Sequence, residues 1–424
     1  MKNSEVRWLG MIPKAWDLDK IVSLYSERST KVSDRDYPAL SVTKQGIVPQ
    51  LESAAKTDNG DNRKLIKKND FVINSRSDRR GSCGISEYEG SCSLINTVLA
   101  PKNNMVNQYY NYLFKTELFA DEFYKWGNGI VDDLWSTKWS SMKNIMVPFP
   151  PLKEQRMIAD YLDIKCTQID TIVAKEQSVI EKLQEYKRAI ITNAVVKGLD
   201  LTVEMADSGI EWIDSIPNHW KINRLIFSAY IRARLGWKGL KADEYTSEGH
   251  PFLSAVNIQN DKLVWEDLNF INDNRYDESP EIKLELGDLL LVKDGAGIGK
   301  CAIVDQLPYG TATTNSSLGV ITPYSELNSM YLYYFFESAI FQNYISRIKN
   351  GMGVPHLTQG NLKNIMVVIP PYCEQEAIVA YLDDKCSNLD SIILKKQTLI
   401  DKLIEYKKSL IYEVVTGKKE VPHV

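Results

Sequence analysis

The sequence lacks several features that would place it in a familiar class of protein. No apolar run approaches the roughly 18 residues of a membrane span, and the N-terminal residues carry no apolar stretch typical of a secretory signal. The six cysteines include no C-x-x-C pair, which argues against a disulfide framework and a structural zinc site. Basic residues are slightly fewer than acidic ones, 51 against 55, so the chain is not a uniformly basic nucleic-acid coat. These absences predict a soluble cytoplasmic protein without membrane association.

The sequence contains a strong internal repeat instead. Residues 143–195 align without a gap on residues 363–415, at a shift of 220, with 27 identities in 53 positions. The identities include a Pro-Pro pair at 150–151 and 370–371, a Glu-Gln pair at 154–155 and 374–375, and a Tyr-Leu-Asp run at 161–163 and 381–383. Such agreement indicates that this segment is duplicated, and the duplication organises the rest of the interpretation.

A weaker echo opens each half of the chain. Trp8 and Trp16, with the Ile-Pro pair between them, match Trp212 and Trp220 at a shift of 204. The stretches between the two repeated elements barely align with each other. The sequence therefore predicts four segments: a first variable domain at 1–150, a first spacer helix at 151–198, a second variable domain at 199–370 and a second spacer helix at 371–424.

Each repeated segment predicts a long amphipathic helix that opens after the proline pair and stops at Gly198 or Gly417. Apolar residues recur at the spacing of a coiled-coil seam. The predicted seam comprises Ile169, Ile172, Val179, Leu183, Tyr186 and Ile190 in the first copy and Leu389, Ile392, Leu399, Leu403, Tyr406 and Leu410 in the second. Since a lone helix is marginal in water, we expect an antiparallel coiled coil with pseudo-twofold symmetry. The alternative is that each helix packs on its own domain as core.

The variable domains mix short strands with turns and helices. Asp70–Asn74 and Gly287–Val292 read as strands, and a polar loop with cationic residues follows each of them. Aromatic-rich stretches at 109–126 and 329–348 are typical of helices. The predicted fold class is α+β, with two mixed α/β domains joined by the two long helices.

The two variable domains differ in charge. Residues 1–150 carry a net charge of +3, whereas residues 199–370 carry −7. Since DNA is held through its phosphates by cationic side chains, any DNA contact of the second domain must depend on a few residues.

Motifs that would indicate catalysis are incomplete. The loop Gly295–Cys301 has neither the spacing nor the Ser or Thr of a phosphate-binding loop. The run Ile369-Pro370-Pro371-Tyr372 resembles a motif of adenine methyltransferases but lacks the polar first residue that would bind the flipped base. The four histidines show no metal-ligand spacing. We therefore predict no catalytic residue and no metal ligand in this chain.

The repeated block, from Pro150 and from Pro370 to the Glu-Tyr-Lys runs at 185–187 and 405–407, resembles the conserved regions of type I restriction-modification specificity subunits. The stretch Ser208–Trp220 and its echo Trp8–Trp16 are also typical of them. The loops at 70–84 and 287–300 resemble, less specifically, stretches of their target-recognition domains. The resemblance covers essentially the whole chain.

This resemblance implies a non-catalytic chain in which each target-recognition domain reads one half of an asymmetric, bipartite site in double-stranded DNA. The helices would form a spacer that sets the gap between half-sites. Two modification subunits that methylate adenine would dock on the helical regions, and restriction subunits with translocase and nuclease activity would join them. S-adenosylmethionine, ATP and Mg²⁺ would belong to these partners, with no cofactor in this chain.

The candidate DNA contacts lie in the polar loops. They are Lys44, Gln45, Ser75, Arg76, Arg79 and Arg80 in the first domain and Asn257, Gln259, Lys293, Asp294, Lys300 and His356 in the second. Arginine suits guanine or phosphate, glutamine suits adenine, and a carboxylate accepts from cytosine. The alternative is that these are solvated loops, with Asp294 capping a turn.

Other functions remain open at this stage. An assembly scaffold that does not read DNA would be expected to have similar, interchangeable variable domains, and these diverge while the helices stay alike. A stand-alone DNA adenine methyltransferase would need the motif residues that are missing.

Overall fold

A computed structural model describes residues 1–50, 60–129, 135–233, 244–295, 297–350 and 356–422, with the side chains of 349 and 350 left aside. The chain divides into two compact units. The first comprises Met1–Gln177 and Gln397–Val424, and the second comprises Ser178–Lys396. Each unit therefore contains one variable region and part of both long helices.

The first unit is mixed α/β and consists of short elements. Its strands are β1 (Lys2–Asn3), β2 (Met11–Ile12), β3 (Asp17–Lys20), β4 (Tyr25–Glu27), β5 (Lys31–Val32), β6 (Leu40–Thr43), β7 (Gly46–Pro49), β8 (Arg63–Ile66), β9 (Phe71–Asn74), β10 (Cys83–Ile85), β11 (Gly90–Cys92), β12 (Asn96–Pro101) and β13 (Met146–Phe149). Its helices are α1 (Ile21–Leu24), α2 (Asn107–Phe114), α3 (Glu117–Lys125) and α4 (Trp139–Met142), and α5 (Leu152–Lys197) begins here.

The second unit is built from the same kinds of element. Its strands are β14 (Met205–Ile210), β15 (Ile213–Pro217), β16 (Lys221–Arg224), β17 (Ala229–Arg232), β18 (His250–Leu253), β19 (Ile258–Gln259), β20 (Lys262–Leu263), β21 (Asn269–Ile271), β22 (Leu289–Val292), β23 (Cys301–Ile303), β24 (Thr313–Thr314), β25 (Leu318–Pro323) and β26 (Met366–Ile369). Its helices are α6 (Asp273–Asp277), α7 (Ser329–Glu337), α8 (Ala339–Asn350) and α9 (Gln359–Lys363), and α10 (Tyr372–Val415) begins here.

The main sheet has the same strand order in both units, although the sequences of the variable regions barely align. The order is β10-β9-β12-β4 in the first unit and β23-β22-β25-β17 in the second, and every pair in both sheets is antiparallel. The registers correspond too, with Ile73 opposite Cys83 and Leu291 opposite Cys301. The duplication therefore extends through the variable regions at the level of topology.

An arginine–aspartate pair fastens the start of the central strand in each unit. Arg28 donates to both carboxylate oxygens of Asp70 at 2.6 and 3.0 Å, and Arg232 donates to those of Asp288 at 2.7 and 2.8 Å. Each aspartate also accepts a backbone N–H from three residues earlier, at 2.8 Å. Because both aspartates are buried, removal of either arginine would leave a buried charge unpaired.

The two long helices begin right after the proline pairs and end close to Gly198 and Gly417, as predicted. They have 46 and 44 residues. The first ends at Lys197, and Gly198 follows with φ +76°, a left-handed conformation that favours glycine. In the described part of the chain, no helix is both long and apolar enough to cross a membrane.

The buried face of each long helix differs from the predicted seam. Ile172, Val179 and Tyr186 of α5, and Ile392, Leu399 and Tyr406 of α10, are exposed, so their assignment to the seam is corrected. Ile169, Leu183, Ile190, Leu389, Leu403 and Leu410 are buried or half-buried. On α5 the buried or half-buried positions alternate at spacings of four and three: Leu162, Cys166, Ile169, Val173, Glu176, Ile180, Leu183, Lys187, Ile190 and Ala194.

This face includes charged residues because their long aliphatic stems can lie along an apolar surface while the charged end reaches outward. Glu176 and Lys187 occupy two of its positions on α5, and Lys396 and Lys407 occupy the matched positions on α10. The predicted seam was assigned from apolar residues alone and therefore included residues of the neighbouring, exposed stripe.

Within each unit, the portions of the two helices run antiparallel. In the first unit, the start of α5 at Lys153 and Glu154 lines one cavity with Gly417 and Lys419, whereas further along α5 Asp170 pairs with Lys407 at 2.6 Å. In the second unit, Tyr331 donates to the carbonyl oxygens of both Val195 and Val368, at 3.0 Å each, which brings the end of α5 near the start of α10. Further back along α5, Lys187 pairs with Asp390 at 2.7 Å.

The glutamine of the repeated Glu-Gln pair explains part of the duplication. Gln375 is fully buried, donates to the carbonyl oxygens of Pro370 and Glu326 at 2.9 Å each, and accepts from the backbone N–H of Asn328 at 2.8 Å. Gln155 makes the corresponding bonds to Pro150 and Val106, at 2.8 and 2.9 Å. Each glutamine thus ties the start of a long helix to the loop before an aromatic helix.

Candidate nucleic-acid interface

Lys44 and Gln45 form the tip of a tight hairpin between β6 and β7, and both are exposed. The hydroxyl of Thr43 donates to the carbonyl oxygen of Gly46 at 2.9 Å and accepts from the N–H of Gln45 at 3.2 Å. The turn is therefore closed by its own residues, which leaves the two polar side chains available to a ligand.

Ser75 and Arg76 follow β9, at the edge where the polar loop begins. Ser75 is buried, and its hydroxyl donates to the carbonyl oxygen of Ile95. The backbone of the loop is held from the other side, because Thr137 donates its N–H to the carbonyl oxygen of Ser75 at 2.9 Å. Arg76 is exposed, so the structure gives the two residues different roles: Ser75 holds the loop and Arg76 projects from it.

Arg79 and Arg80 lie further along the same loop. Arg79 is exposed and lies 3.5 Å from the carboxylate of its neighbour Asp78. Arg80 contacts the carboxylate of Asp121 on α3 and the carbonyl oxygen of Glu117. Arg80 therefore fastens the loop to a helix, whereas Arg79 has only a weak local partner.

A cavity of about 630 Å³ surrounds Arg76 and contains cations that sequence reasoning missed. Lys138 and Lys143, which flank α4, line it together with Trp139 and Lys64. Lys64 is held by Glu27 at 3.5 Å, but in the described ranges no carboxylate lies within ion-pair distance of Arg76, Lys138 or Lys143. In the sequence these cations belong to a Lys-Trp-x-x-x-Lys stretch at 138–143, which is distant from Arg76 along the chain. Only the folded structure brings this stretch beside Arg76.

The corresponding edge of the second unit has different chemistry. Lys293 follows β22 and is largely buried, with its ammonium 3.9 Å from the carboxylate of Asp294. Asp294 contacts the imidazole Nδ1 of His356, and the backbones of these residues form an antiparallel bridge. The residues just before His356, at 351–355, lie outside the described residues. The structure therefore brings Lys293, Asp294 and His356 together, as a compact cluster.

Asn257 and Gln259 lie apart from that cluster. Asn257 is buried, and its side-chain oxygen accepts from the backbone N–H of Ser254 at 2.9 Å, as part of a capping box. The expectation that Asn257 contacts DNA is therefore corrected, because its amide is used inside the fold. Gln259 is exposed on β19, with its amide bonded to the carbonyl oxygen of Val256 at 3.1 Å.

Lys300 is exposed immediately before β23, near an acidic cavity of about 530 Å³. The cavity is lined by Lys187, Asp261, Glu337 and Asp390, among others. Burial, and to a smaller extent the neighbouring Asp261 carboxylate, raise the pKa of Glu337 to about 7. The thiol of Cys301 donates to Glu337 at 3.3 Å. Sequence reasoning missed this cluster because its members come from distant parts of the chain.

Two motifs weighed in the sequence have structural roles. The carbonyl oxygen of Pro370, in the methyltransferase-like run, accepts from Gln375, and the helix α10 starts at Tyr372. His219 contacts Glu374 at 2.8 Å, and the same carboxylate accepts from the indole of Trp220 at 2.9 Å. Across the described residues, no group of three or more His, Cys, Asp or Glu side chains is arranged to hold a metal ion.

The chain is similar in sequence to specificity subunits of type I restriction enzymes. The specificity subunit of the type I restriction enzyme MjaVIII from Methanocaldococcus jannaschii is 23% identical over 368 residues, which is 85% of this chain and 81% of that protein. The specificity subunit of the type I restriction enzyme EcoKI from Escherichia coli is 22% identical over 362 residues, covering 83% and 75%.

A solved structure shares the fold. A chain from a study of complex assembly and conformational transition of the type I R-M system has a TM-score of 0.73 at 13% identity, covering 96% of this chain and 100% of that one. The family described as "Type I restriction modification DNA specificity domain" matches residues 26–182 and again residues 237–403. Since these matches span most of the sequence, the chain belongs to the type I restriction-modification DNA specificity family, with one specificity domain in each half.

Proposed function

We propose that this chain is the DNA specificity subunit of a type I restriction-modification enzyme and performs no catalysis itself. Each variable domain reads one half of an asymmetric, bipartite site in double-stranded DNA. The observation that carries this proposal is that two specificity domains share one sheet order while their corresponding edges differ in chemistry, with Arg76 at one and Asp294 at the other. One scaffold presenting two different edges is what reading two different half-sites requires.

The DNA contacts are the exposed polar residues of those edges. They are Lys44, Gln45, Arg76 and Arg79 in the first domain, with Lys138 and Lys143 added from the cavity, and Gln259, Asp294, Lys300 and His356 in the second. Ser75, Arg80 and Lys293 act by holding their loops in place. Base edges in the major groove are distinguished by donors and acceptors, whereas cations on phosphates supply grip.

The long helices set the gap between half-sites and dock the modification subunits. Each helix carries an exposed apolar stripe at seven-residue spacing, formed by Ile172, Val179 and Tyr186 on α5 and by Ile392, Leu399 and Tyr406 on α10. Exposed apolar residues that recur along one stripe of a helix favour a surface that a partner covers. Because the stripe recurs on both helices at matched positions, two copies of one partner would fit the duplication.

The remaining chemistry belongs to the partners. Two modification subunits bind S-adenosylmethionine and methylate adenine, and restriction subunits use ATP and Mg²⁺. The complex acts in the cytoplasm. The four segments of the chain are the variable domains at 1–150 and 199–370 and the spacer helices at 151–198 and 371–424.

The test is a methylation map. The chain is purified with its modification subunits, incubated with genomic DNA and S-adenosylmethionine, and the methylated sites are sequenced. We expect one bipartite motif with two different half-sites and no methyl transfer by the chain alone. Methylation without sequence preference, or incorporation by the chain alone, would contradict the proposal.

A further turn inserted in α5 is expected to change the gap and to leave both half-sites intact.

A further inference from the structure

Arg76 and Asp294 occupy the same backbone position in the two units. Each lies two residues beyond the end of the central strand, β9 or β22. Each forms an antiparallel bridge with a residue from a distant segment, Ser136 for Arg76 and His356 for Asp294. The next backbone bond matches as well, since Thr137 donates to the carbonyl oxygen of Ser75 at 2.9 Å and Leu357 donates to that of Lys293 at 2.8 Å.

The two positions carry opposite chemistry on that shared backbone. Arg76 presents only hydrogen-bond donors and lies beside further cations, Lys138 and Lys143. Asp294 presents acceptors, and its carboxylate is about one-third exposed next to the imidazole of His356. A guanidinium donates in a fork to the O6 and N7 acceptors of guanine, whereas a carboxylate accepts from the N4 amino group of cytosine. Adenine also offers an amino group, but its neighbouring N7 acceptor would repel a carboxylate.

We propose, on the basis of the function proposed above, that positions 76 and 294 are the equivalent specificity-determining positions of the two half-sites. Arg76 selects a guanine in the first half-site and Asp294 selects a cytosine in the second. Besides its own proposed contact with DNA, His356 orients the Asp294 carboxylate. The fixed backbone bridge makes each side chain project from a rigid edge, which base discrimination requires.

The experiment measures sequence selection by the full chain assembled with its modification subunits. The complex is incubated with a randomised DNA library, and the bound fragments are sequenced for the wild type and for Arg76→Gln, Asp294→Asn and His356→Gln. Lys68→Gln is the matched control, because Lys68 is an exposed cation at the opposite end of β9 and is not among the proposed DNA contacts. Unfolding temperatures of each variant verify that the fold is retained.

We expect Arg76→Gln to replace guanine by adenine at one base of the first half-site and to leave the second unchanged, since glutamine pairs with adenine. Asp294→Asn is expected to replace cytosine by adenine at one base of the second half-site and to leave the first half-site unchanged, since asparagine also pairs with adenine. The lost discrimination should be roughly 5- to 150-fold at that base. His356→Gln should weaken the preference without changing the base, and Lys68→Gln should leave both half-sites as they are.

The outcomes separate this inference from the proposed function. If the wild-type complex selects no bipartite sequence, the proposed function fails. If it selects one, but Arg76→Gln lowers binding equally for all sequences, Arg76 contacts a phosphate and the inference is overturned. A change in the wrong half-site, or unchanged preferences in both Arg76→Gln and Asp294→Asn, would overturn it as well.

Discussion

The ammonium of Lys187 donates to both carboxylate oxygens of Asp390, at 2.7 and 2.9 Å. The same bond recurs in the other unit, where Lys407 donates to Asp170 at 2.7 and 2.6 Å. Lys407 lies 220 residues after Lys187, and Asp390 lies 220 after Asp170, so the duplication carries one ion pair into two places. Both lysines stand on the half-buried helix face, where the pair favours one register over its neighbours.

Reversal of the charge on one partner of this ion pair is expected to lower stability. Reversal of the charge on the other partner as well is expected to restore it. Lys187→Glu places two carboxylates together and should lower the free energy of unfolding by up to about 1 kcal/mol, the range of partly exposed pairs. Lys187→Glu combined with Asp390→Lys should recover most of that loss. Urea denaturation of the full chain measures it, and Lys182→Glu, at an exposed position of the same helix, is the control. Equal loss in the single and double variants would show that the pair does not interact.

Removal of the buried glutamine at the start of α10 is expected to be costly. Gln375→Ala leaves the N–H of Asn328 and the carbonyl oxygens of Pro370 and Glu326 without their partner. An unsatisfied buried group costs about 1–3 kcal/mol. Because the bond to Pro370 is buried and the other two are partly buried, we expect a loss of about 2 kcal/mol or more in the free energy of unfolding. Glu376→Ala changes the exposed neighbour and should change stability little. Similar midpoints of denaturation for both variants would contradict the role given to Gln375.

Gly198 is expected to resist substitution for two separable reasons. Its φ is +76°, and a Cβ there would lie 3.0 Å from the indole of Trp220. Gly310 has a similar φ of +75° with no atom within 4 Å of its Cβ position, so Gly310→Ala reports the backbone strain alone. We expect about 1 kcal/mol for Gly310→Ala and a larger loss for Gly198→Ala, measured by chemical denaturation. Equal losses would mean that the Trp220 ring moves aside freely.

The exposed stripe of α5 is expected to bind a partner, whereas the adjacent buried position holds the fold. Val179→Glu should leave the unfolding transition of the chain almost unchanged and should abolish co-purification with the modification subunits. Ile180→Glu, one residue along, should lower stability by several kcal/mol, because Ile180 is 4% exposed. Retained assembly in Val179→Glu, with the partner present in normal stoichiometry, would place the docking surface elsewhere.

Glu337 is expected to make stability depend on pH. Its pKa is raised from 4.5 to about 7 by burial and by Asp261, so the folded state binds a proton that the unfolded state releases in that interval. The contribution is fully present below pH 4.5 and is lost as the pH rises through about 7. The hydrogen bond from Cys301 and the charges of Lys187 and Arg188 oppose the shift. Asp390 lines the same cavity as Glu337.

Glu337→Gln should therefore flatten the fall in the free energy of unfolding between pH 5 and 8, by at most roughly 3 kcal/mol. Denaturant titrations at several pH values measure this slope, and Glu326→Gln, a carboxylate for which the described residues give no side-chain partner, is the control. An unchanged slope in Glu337→Gln would show that this carboxyl titrates normally.

Much of the architecture follows from local signals in the sequence. The proline pairs, the glycines at 198 and 417 and the three-to-four spacing determine where the long helices begin and end, because caps and amphipathic periodicity act within a few residues. The repeat at a shift of 220 likewise indicates the duplication and the family.

The tertiary structure decided what depends on distant partners. Each long helix has two adjacent stripes that are apolar enough to form the contact between the helices. The sequence does not distinguish them, and the structure buries the stripe that contains Lys187 and exposes the stripe that contains Tyr186. The side chains of Asn257 and Arg76 are both polar and both lie in loops by sequence, yet one is used as a cap and the other projects beside Lys138 and Lys143. Burial and long-range pairing separate them, and neither is encoded in the neighbouring residues.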